Sequence, residues 1–371
     1  MKLKTFALLG LLASPQALAY GVDDCVQDLQ FLPDFLLQND TGAPLHWQQK
    51  GEAHFQAAMD KAVAEAAKAD SAEQCRPIVR QYLKAWRPGH LSVQVVAQPE
   101  LHAGNSTNSR ADTKAEPARD PGRPSLELLS GKTALLTVPS FGPSYREPLE
   151  KLLADNHEAL ASRPNWILDV RHNGGGSDST YAALLPWLMG QGWREVDVEW
   201  LVTPANLKAQ AEICDRFDPG NAECKAWTDK IVAAMQEQPS GSYVRTEAET
   251  VSFERVDKPE PRRPSRVAVL VSRRCGSSCE QFLLAVRQSF SVKLVGQRSY
   301  GALDYSNLRP HLLPSGQLEL FYATSRSLRL PEQPVDLAGV IPDVYLDKAE
   351  GTEAERAQVE QVKGWLEGGD L

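Results

Sequence analysis

The chain has 371 residues, enough for two domains or for one large domain with an appendage. Hydrophobic residues make up 42% and charged residues 24%, an ordinary globular composition that can build a sizeable core. The formal net charge of −8 excludes a nucleic-acid partner held by bulk positive charge, and 25 glycines with 25 prolines are too few for a collagen-like or wholly disordered chain.

The N-terminus has the pattern of a secretory signal peptide. Two lysines precede an apolar segment over residues 6–13, and a small-x-small cleavage site ends at Ala19. Neither this segment nor any later stretch reaches the roughly 20 apolar residues that span a bilayer. We therefore predict a signal peptide over residues 1–19, a mature chain that begins near Tyr20, and a secreted, periplasmic protein without a membrane span. A buried N-terminal helix is the alternative.

Export to an oxidising compartment gives the six cysteines a structural interpretation, because disulfides form there. Closeness along the chain favours two bridges, and the two remaining cysteines lie in helical patterns, which gives the pairs Cys25–Cys75, Cys214–Cys224 and Cys275–Cys279. Other pairings of six cysteines stay open. A zinc site is the competing interpretation, but no Cys-x-x-Cys or His-x-x-x-His spacing supports it. We predict no metal and no other cofactor.

The first third of the chain is helical in pattern. Residues 23–86 have helix-like apolar spacing, and residues 91–95 alternate like a strand. These features predict a helical N-terminal domain over residues 20–97 that includes the first strand. Residues 98–130 are mostly polar and rich in helix breakers, which predicts a linker or flexible loop.

Strands and helices alternate from residue 131 onward. The predicted strands are 133–138, 166–170, 267–271 and 292–295, and the predicted helices are 145–160, 180–189, 206–236 and 280–289. Such alternation predicts an α/β fold with a parallel or mixed sheet flanked by helices. We assign this core domain to residues 131–350 and a C-terminal helix to residues 351–371.

Two turns at predicted strand ends carry residues that can take part in catalysis or ligand binding. The first is the triple glycine of WILDVRHNGGGSD, residues 166–178, whose backbone N–H groups can approach an anion or an oxyanion closely. It lacks the spacing of a phosphate-binding loop, and a tight strand-to-helix turn without a ligand would have the same pattern. Both interpretations stay open.

The second turn places Ser277 and Ser278 between a strand and a helix. A serine there is exposed, and the helix N-terminus favours developing negative charge. The arrangement is that of a nucleophile elbow without the Gly-x-Ser-x-Gly pattern. Two helix-capping serines are the alternative, and a redox-active Cys275–Cys279 pair is another.

A serine nucleophile needs a general base, and the chain has seven histidines. His90 follows Pro-Gly at the junction between the helical region and the first strand, whereas His172 lies inside the glycine motif. The other five histidines lie in the predicted loop, in solvent-facing patterns or beside a proline. Sequence position alone does not decide whether His90 or His172 is the general base.

Five segments, in this order, resemble the C-terminal processing (tail-specific) peptidase family, which includes the tricorn protease core. They are LLTVPSF, ILDVRHNGGG, VAVLVSRRCGSSCEQF, VKLVGQRSYGALDYSN and AGVIPDV. The resemblance covers roughly residues 80–97 and 130–347 and implies a ClpP/crotonase-like serine peptidase core. No stretch resembles the PDZ domain common in this family.

The resemblance implies roles for three side chains. The nucleophile is Ser277, three residues before the glutamate that opens the next helix. In the tail-specific branch a lysine base follows an aromatic-Gly pair, but Ala302 stands at that position here. The tricorn-like branch instead uses a histidine in a setting similar to GHLSV, which implies His90 as the base, and an acid before Gly-Val-x-Pro-Asp, which implies Asp336 as the orienting group.

The resemblance also suggests further members of the site. Glu332 is an alternative acid, and Asp304 and Ser306 lie close to where the lysine would be. The implied oxyanion-hole donors are the backbone N–H groups of Gly174 or Gly175, and of Ser278.

The predicted function is that of a secreted serine peptidase. Ser277 attacks a carbonyl of a peptide or protein substrate, and a histidine carries the proton. A non-catalytic ligand- or peptide-binding protein on the same fold is the alternative, because the lysine is missing, and an esterase is another. The presence of both Ser277 and His90 favours catalysis, since a binding protein has no chemical need for the pair.

Overall fold

A computed structural model describes residues 20–96 and 122–370 of the chain. The predicted signal peptide and most of the predicted loop lie outside these residues. The α-helices, α1 to α12, are Val22–Asn39, Ala43–Lys50, Glu52–Ala66, Ala72–Trp86, Arg146–Asp155, His157–Ala161, Asp178–Tyr181, Leu185–Leu188, Pro204–Phe217, Ala222–Gln236, Ser278–Val286 and Thr352–Leu366. The strands, β1 to β13, are Ser92–Val95, Ser125–Leu128, Thr133–Thr137, Asn165–Asp169, Gly192–Val196, Val198–Leu201, Tyr243–Val244, Val251–Arg255, Arg266–Val271, Val292–Gly296, Tyr305–Leu312, Leu318–Ser327 and Val344–Tyr345.

The larger sheet has six strands in the order β13-β10-β9-β4-β3-β2. All neighbours are parallel except β2 and β3. Strands β3, β4 and β9 are continuous apolar runs because helices cover both faces of the sheet. In β9, Val267 and Val269 point into the core beneath α11, whereas Ala268 and Leu270 point into the core beneath α12. The mixed sheet flanked by helices is confirmed.

The smaller sheet joins the N-terminal helices to the rest of the molecule. Strand β12 pairs antiparallel with β1, β6 and β11, and β6 pairs with β7. Helices α1 to α4 pack on this sheet around Leu29, Leu32 and Trp86, which share one core with Leu320 and Tyr322. The helical N-terminal region therefore has its core in common with strands from the other end of the chain.

The predicted loop at residues 98–130 ends in regular structure. Its last residues form strand β2, which pairs with β3 at the edge of the larger sheet. This strand is four residues long and mostly exposed, so it lacks the apolar run by which the central strands are predicted. Within the described residues, no helix is long and apolar enough to cross a membrane.

Three disulfides form, and they are the pairs predicted from the sequence. Cys25–Cys75 joins α1 to α4, Cys214–Cys224 joins α9 to α10, and Cys275–Cys279 closes the turn that leads into α11. The Cα–Cα distances of 5.7, 5.9 and 5.4 Å are those of ordinary disulfides.

Candidate active site

The turn that contains the triple glycine and the turn that contains Ser277 lie at one edge of the larger sheet. The second is called the serine turn below. Strands β4 and β9 are parallel neighbours, so the turns that follow their carboxyl ends lie side by side. Gly175, with φ +99°, lies against the second turn: a Cβ on it would be 2.8 Å from Ser277 Cβ and 2.6 Å from the Gly276 oxygen. The absence of a side chain at position 175 therefore lets the glycine motif reach the serine turn.

Ser277 is the last residue of the turn that follows β9, and α11 begins at the next residue, Ser278. Its backbone has φ +57°, a region that non-glycine residues rarely occupy and that costs on the order of 1–3 kcal/mol. Its N–H lies 3.1 Å from the Ala302 carbonyl oxygen and 3.2 Å from Glu280 Oε2. The half-buried serine is thus held in a strained conformation at a helix N-terminus, as a nucleophile elbow requires.

Glu280 is fully buried beneath this turn. Its carboxylate accepts from Ser299 Oγ at 2.5 Å, from the N–H of Gly301 at 2.6 Å and from the N–H of Ala302 at 2.9 Å, in addition to Ser277 N–H. Burial raises its pKa, while the four donors favour the charged form and act in the opposite direction. The carboxylate therefore joins the serine turn to segment 299–302.

The predicted oxyanion-hole donors differ in their availability. Gly175 N–H donates to Asn173 Oδ1 at 2.9 Å, so this N–H is already used. Among the described residues, no group accepts a hydrogen bond from the N–H of Gly174 or of Ser278. Ser278 Oγ donates to the Gly176 carbonyl at 3.0 Å, which joins the two turns. Of the predicted donors, only the N–H groups of Gly174 and Ser278 are thus without an acceptor among the described residues, and Gly175 packs against the serine turn.

His90 is held in one tautomer by the backbone of β11. Its Nδ1 lies 2.6 Å from the carbonyl oxygen of Tyr305, which can only accept, so Nδ1 carries the proton and Nε2 is the free basic nitrogen. Burial is the main cause that lowers the pKa of His90, to about 4, and the charge of Arg87 adds to it. The ring is therefore neutral at pH 7 and able to accept a proton.

A buried ion pair holds the backbone of residues 87–90, which are called the histidine turn below. Arg87 donates to Asp40 at 2.9 and 2.6 Å, and its other N–H groups donate to the carbonyls of Gly89 at 2.9 Å and His90 at 2.8 Å. Asp40 also accepts from the N–H of Ala323 on β12 at 3.0 Å. This pair fixes the turn, in which Gly89 and His90 both have positive φ, to the N-terminal helices and to the smaller sheet.

Replacing Arg87 with methionine is expected to lower the free energy of unfolding by about 3–5 kcal/mol, because it leaves the Asp40 carboxylate buried without its cation. Arg87 and Asp40 side chains are 1% and 0% exposed. Urea denaturation measures the loss. The double variant Asp40→Asn with Arg87→Met is expected to recover part of it, and a loss below 1 kcal/mol in the single variant would contradict this account.

The histidine turn and the serine turn meet at Ala302. The Cβ of Ala302 lies 2.8 Å from where a Cβ on Gly89 would be, and the carbonyl of Ala302 accepts from Ser277 N–H. No hydrogen bond joins Ser277 Oγ to His90 Nε2 in the structure. Such bonds are often long without substrate and tighten in the complex. The alanine at the lysine position is thus the point of contact between the two turns.

Asp336, predicted as the orienting acid, makes no hydrogen bond to His90. Its Oδ1 accepts from the N–H groups of Leu303 at 2.6 Å and Asp304 at 2.7 Å. The Tyr305 carbonyl occupies the orienting position instead. Asp336 is thus bonded to the segment that leads into Tyr305, and burial is the main cause that raises its pKa to about 6.

Asp304 forms the other half of a reciprocal arrangement with Asp336. Its Oδ2 accepts from the N–H groups of Val335 at 2.6 Å and Asp336 at 2.8 Å. Its side chain is completely buried, and Oδ1 has no hydrogen-bond partner among the described residues. The two carboxylates thus lock the segment after Ala302 to the segment before the Gly-Val-x-Pro-Asp sequence.

The remaining predicted residues make no hydrogen bond to Ser277 or His90. His172 is on the surface, with Nε2 2.9 Å from Glu355 on α12 and Nδ1 3.1 Å from Arg274. Ser306 contacts Ser325 in the smaller sheet at 3.2 Å. Glu332 is exposed and makes no hydrogen bond or ion pair with the described residues. The geometry thus favours His90 over His172 as the base.

Several groups at the site were not predicted. The Ser-x-x-Glu spacing of Ser277 and Glu280 is a capping-box pattern, which indicates that the glutamate side chain accepts from the Ser277 N–H. No sequence pattern indicates the Asp40–Arg87 pair, since its partners are 47 residues apart. The Tyr305 carbonyl has no sequence signature either, because every residue carries one.

Comparisons with known proteins identify the family and the fold of the chain. The sequence profile of Peptidase family S41 matches residues 132–346, which is more than half of the chain. No curated protein sequence gives a significant match.

Two solved structures are similar in fold. Mature CPAF has a TM-score of 0.58 at 12% identity, with 93% of this chain and 96% of CPAF covered. A peptidase-like protein from Parabacteroides merdae ATCC 43184 has a TM-score of 0.51 at 13% identity, with 92% and 96% covered. At these identities the similarity concerns the fold.

Proposed function

Because the chain belongs to peptidase family S41, we propose that it is a serine peptidase in which Ser277 is the nucleophile and His90 the general base. One observation carries the proposal. The strained Ser277 turn and the turn that holds His90 in its Nε2-basic tautomer meet at Ala302. Family membership alone does not identify a base, because Ala302 stands where the tail-specific branch has its lysine. The contact between the two turns brings the segment that carries His90 to the serine turn, and His90 is a possible base.

The chemistry follows from the groups present. His90 Nε2 takes the proton of Ser277 Oγ as the oxygen attacks the peptide carbonyl, and the imidazolium proton then passes to the leaving amine. The N–H groups of Gly174 and Ser278 stabilise the tetrahedral oxyanion, and each such donor is worth about 2.7–4 kcal/mol. Water then attacks the acyl-enzyme with His90 again as the base.

Three contacts keep the base in place during this cycle. The Tyr305 carbonyl accepts from Nδ1–H and stabilises the imidazolium. Arg87 fixes the backbone carbonyls of the turn, and the Asp304–Asp336 pair fixes the segment that presents Tyr305. Asp336 is therefore proposed as a positioning residue.

The proposed substrate is a peptide or a protein, and the proposed location is outside the cytoplasm. Three disulfides support an oxidising compartment, and the N-terminal pattern supports secretion to the periplasm. A non-catalytic binding protein and an esterase are the competing functions. Neither a binding protein nor an esterase is expected to hydrolyse a protein substrate.

A fluorophosphonate tests the central step. The mature protein is incubated with the reagent, and its intact mass is measured. Stoichiometric labelling at Ser277, followed by hydrolysis of a casein substrate, would support the peptidase. Labelling with hydrolysis of simple esters only would favour the esterase, and a wild-type protein that takes up no label would favour the binding protein.

The pH dependence of labelling provides an independent check on the base. Because only neutral His90 accepts a proton, and burial lowers its pKa to about 4, the rate constant is expected to stay constant down to about pH 5 and to fall by half near pH 4. An unperturbed histidine would give a midpoint near 6.5. Labelling is measured between pH 3.5 and 8.

Burial raises the pKa of Asp336 to about 6, so a step near pH 6 in the otherwise constant rate constant is assigned to Asp336 and not to His90. The Asp336→Asn variant removes that step if Asp336 causes it, so the two groups are separable. A midpoint at or above 6.5 that persists in this variant would contradict the assignment of His90.

A further inference from the structure

The disulfide Cys275–Cys279 encloses the serine turn. The two cysteines flank Gly276, Ser277 and Ser278, and their Cα atoms are 5.4 Å apart. Both cysteines are 0% exposed and belong to the core beneath α11. The bond therefore fastens both ends of the turn to one another and to the core of the larger sheet.

The turn that this bond closes stores strain at its central residue. Ser277 has φ +57°, and a non-glycine residue keeps such a conformation only where its surroundings hold it there. The backbone bonds of the two cysteines run to Ser272 at 3.1 Å, to Gly276 at 3.0 Å and to Tyr300 at 2.7 Å. These hydrogen bonds fix the positions of the two cysteines, and the disulfide joins the cysteines across Ser277.

We propose that the Cys275–Cys279 disulfide is a positioning device for Ser277, so that the nucleophile is reactive only while this pair is oxidised. The inference rests on the proposed function. A dithiol reductant supplies two electrons and two protons: the S–S bond breaks, each cysteine becomes a thiol, and the dithiol becomes a cyclic disulfide. Ser277 can then relax from positive φ, which moves Oγ away from His90 and from the N–H groups that bind the oxyanion.

The other two disulfides provide matched controls, because neither closes a turn at the site. Cys25–Cys75 joins two N-terminal helices, and Cys214–Cys224 joins α9 to α10. Removing either of them shows how the loss of a disulfide outside the site changes stability and labelling. Only the loss of Cys275–Cys279 is expected to change the reactivity of Ser277.

The test compares wild type, Cys275→Ala with Cys279→Ala, and Cys214→Ala with Cys224→Ala. The maximal rate constant of fluorophosphonate labelling is measured well below each protein's unfolding temperature, which is determined separately. We expect a fall on the order of 10²-fold in the first double variant, as for a reacting atom displaced by about 1 Å, and no change in the second. A rate within twofold of wild type in the folded first variant would overturn the proposal.

Reduction of the wild-type protein keeps the test decisive if the first variant does not fold. Dithiothreitol is added until mass spectrometry shows that the Cys275–Cys279 pair is reduced, and labelling is measured before and after reoxidation. Labelling that is lost while the circular dichroism spectrum of the reduced protein stays that of the folded wild type, and that is regained on reoxidation, supports the proposal, and labelling that persists in the reduced protein overturns it. Wild-type protein that is never labelled would remove the proposed function, and this inference with it.

Discussion

Replacing Ser277 with alanine is expected to abolish fluorophosphonate labelling and any peptide hydrolysis while the protein stays folded. The change removes Oγ alone, whereas the turn is held by Ser277 N–H on Ala302 and Glu280. Loss of the nucleophile in a serine peptidase lowers kcat by about 10⁶-fold. Intact-mass measurement of the labelled protein and its thermal unfolding midpoint are the two readouts.

Ser306→Ala is the matched control for this change. Ser306 Oγ lies 3.2 Å from Ser325 Oγ in the smaller sheet and makes no hydrogen bond to Ser277 or His90, and Ser306→Ala leaves the Tyr305 backbone carbonyl in the chain. We expect wild-type labelling in this variant. Stoichiometric label on the Ser277→Ala protein would show that the reactive residue lies elsewhere and would contradict the assignment.

Replacing His90 with alanine is expected to lower labelling and hydrolysis by on the order of 10⁴-fold. The ring is the proton acceptor, and no second histidine lies in the turns that meet at Ala302. The loss is expected in the maximal rate constant, with little change in the concentration of reagent at half saturation. The midpoint of thermal unfolding shows whether the variant remains folded.

His172→Ala separates the two histidines that the sequence left equally eligible. His172 bonds to Glu355 and Arg274 at the surface, so its removal is expected to leave the labelling rate within about twofold of wild type. Full activity in His90→Ala together with inactivity in His172→Ala would reverse the assignment of the base.

The parts of the fold that could be predicted are those governed by local sequence. Strands β3, β4 and β9 are buried on both faces, so their residues form unbroken apolar runs. The Ser277 turn was evident because glycine and serine interrupt such a run directly before a helix. Two disulfides followed from cysteines close along the chain, and the third pair then remained.

The parts that could not be predicted depend on contacts between distant segments. The resemblance to the tricorn-like branch implied Asp336 as the orienting group, but the Tyr305 carbonyl is the group that bonds to His90 Nδ1 in the structure. Arg87 preceded a Pro-Gly sequence and gave no sign of its buried partner Asp40. Such pairings are set by how α1, β11 and β12 pack, and local patterns carry no information about that packing.

The contact between Ala302 and Gly89 leaves no room for a side chain at position 89. A Cβ on residue 89 would lie 2.8 Å from the Ala302 Cβ, and Gly89 has φ +65°, so any other residue at 89 would push the turn that carries His90 away from Ala302. Moving that turn would break the bonds from Arg87 to Gly89 and His90. The close approach of the two turns therefore depends on a glycine that lies more than 200 residues before the alanine it contacts.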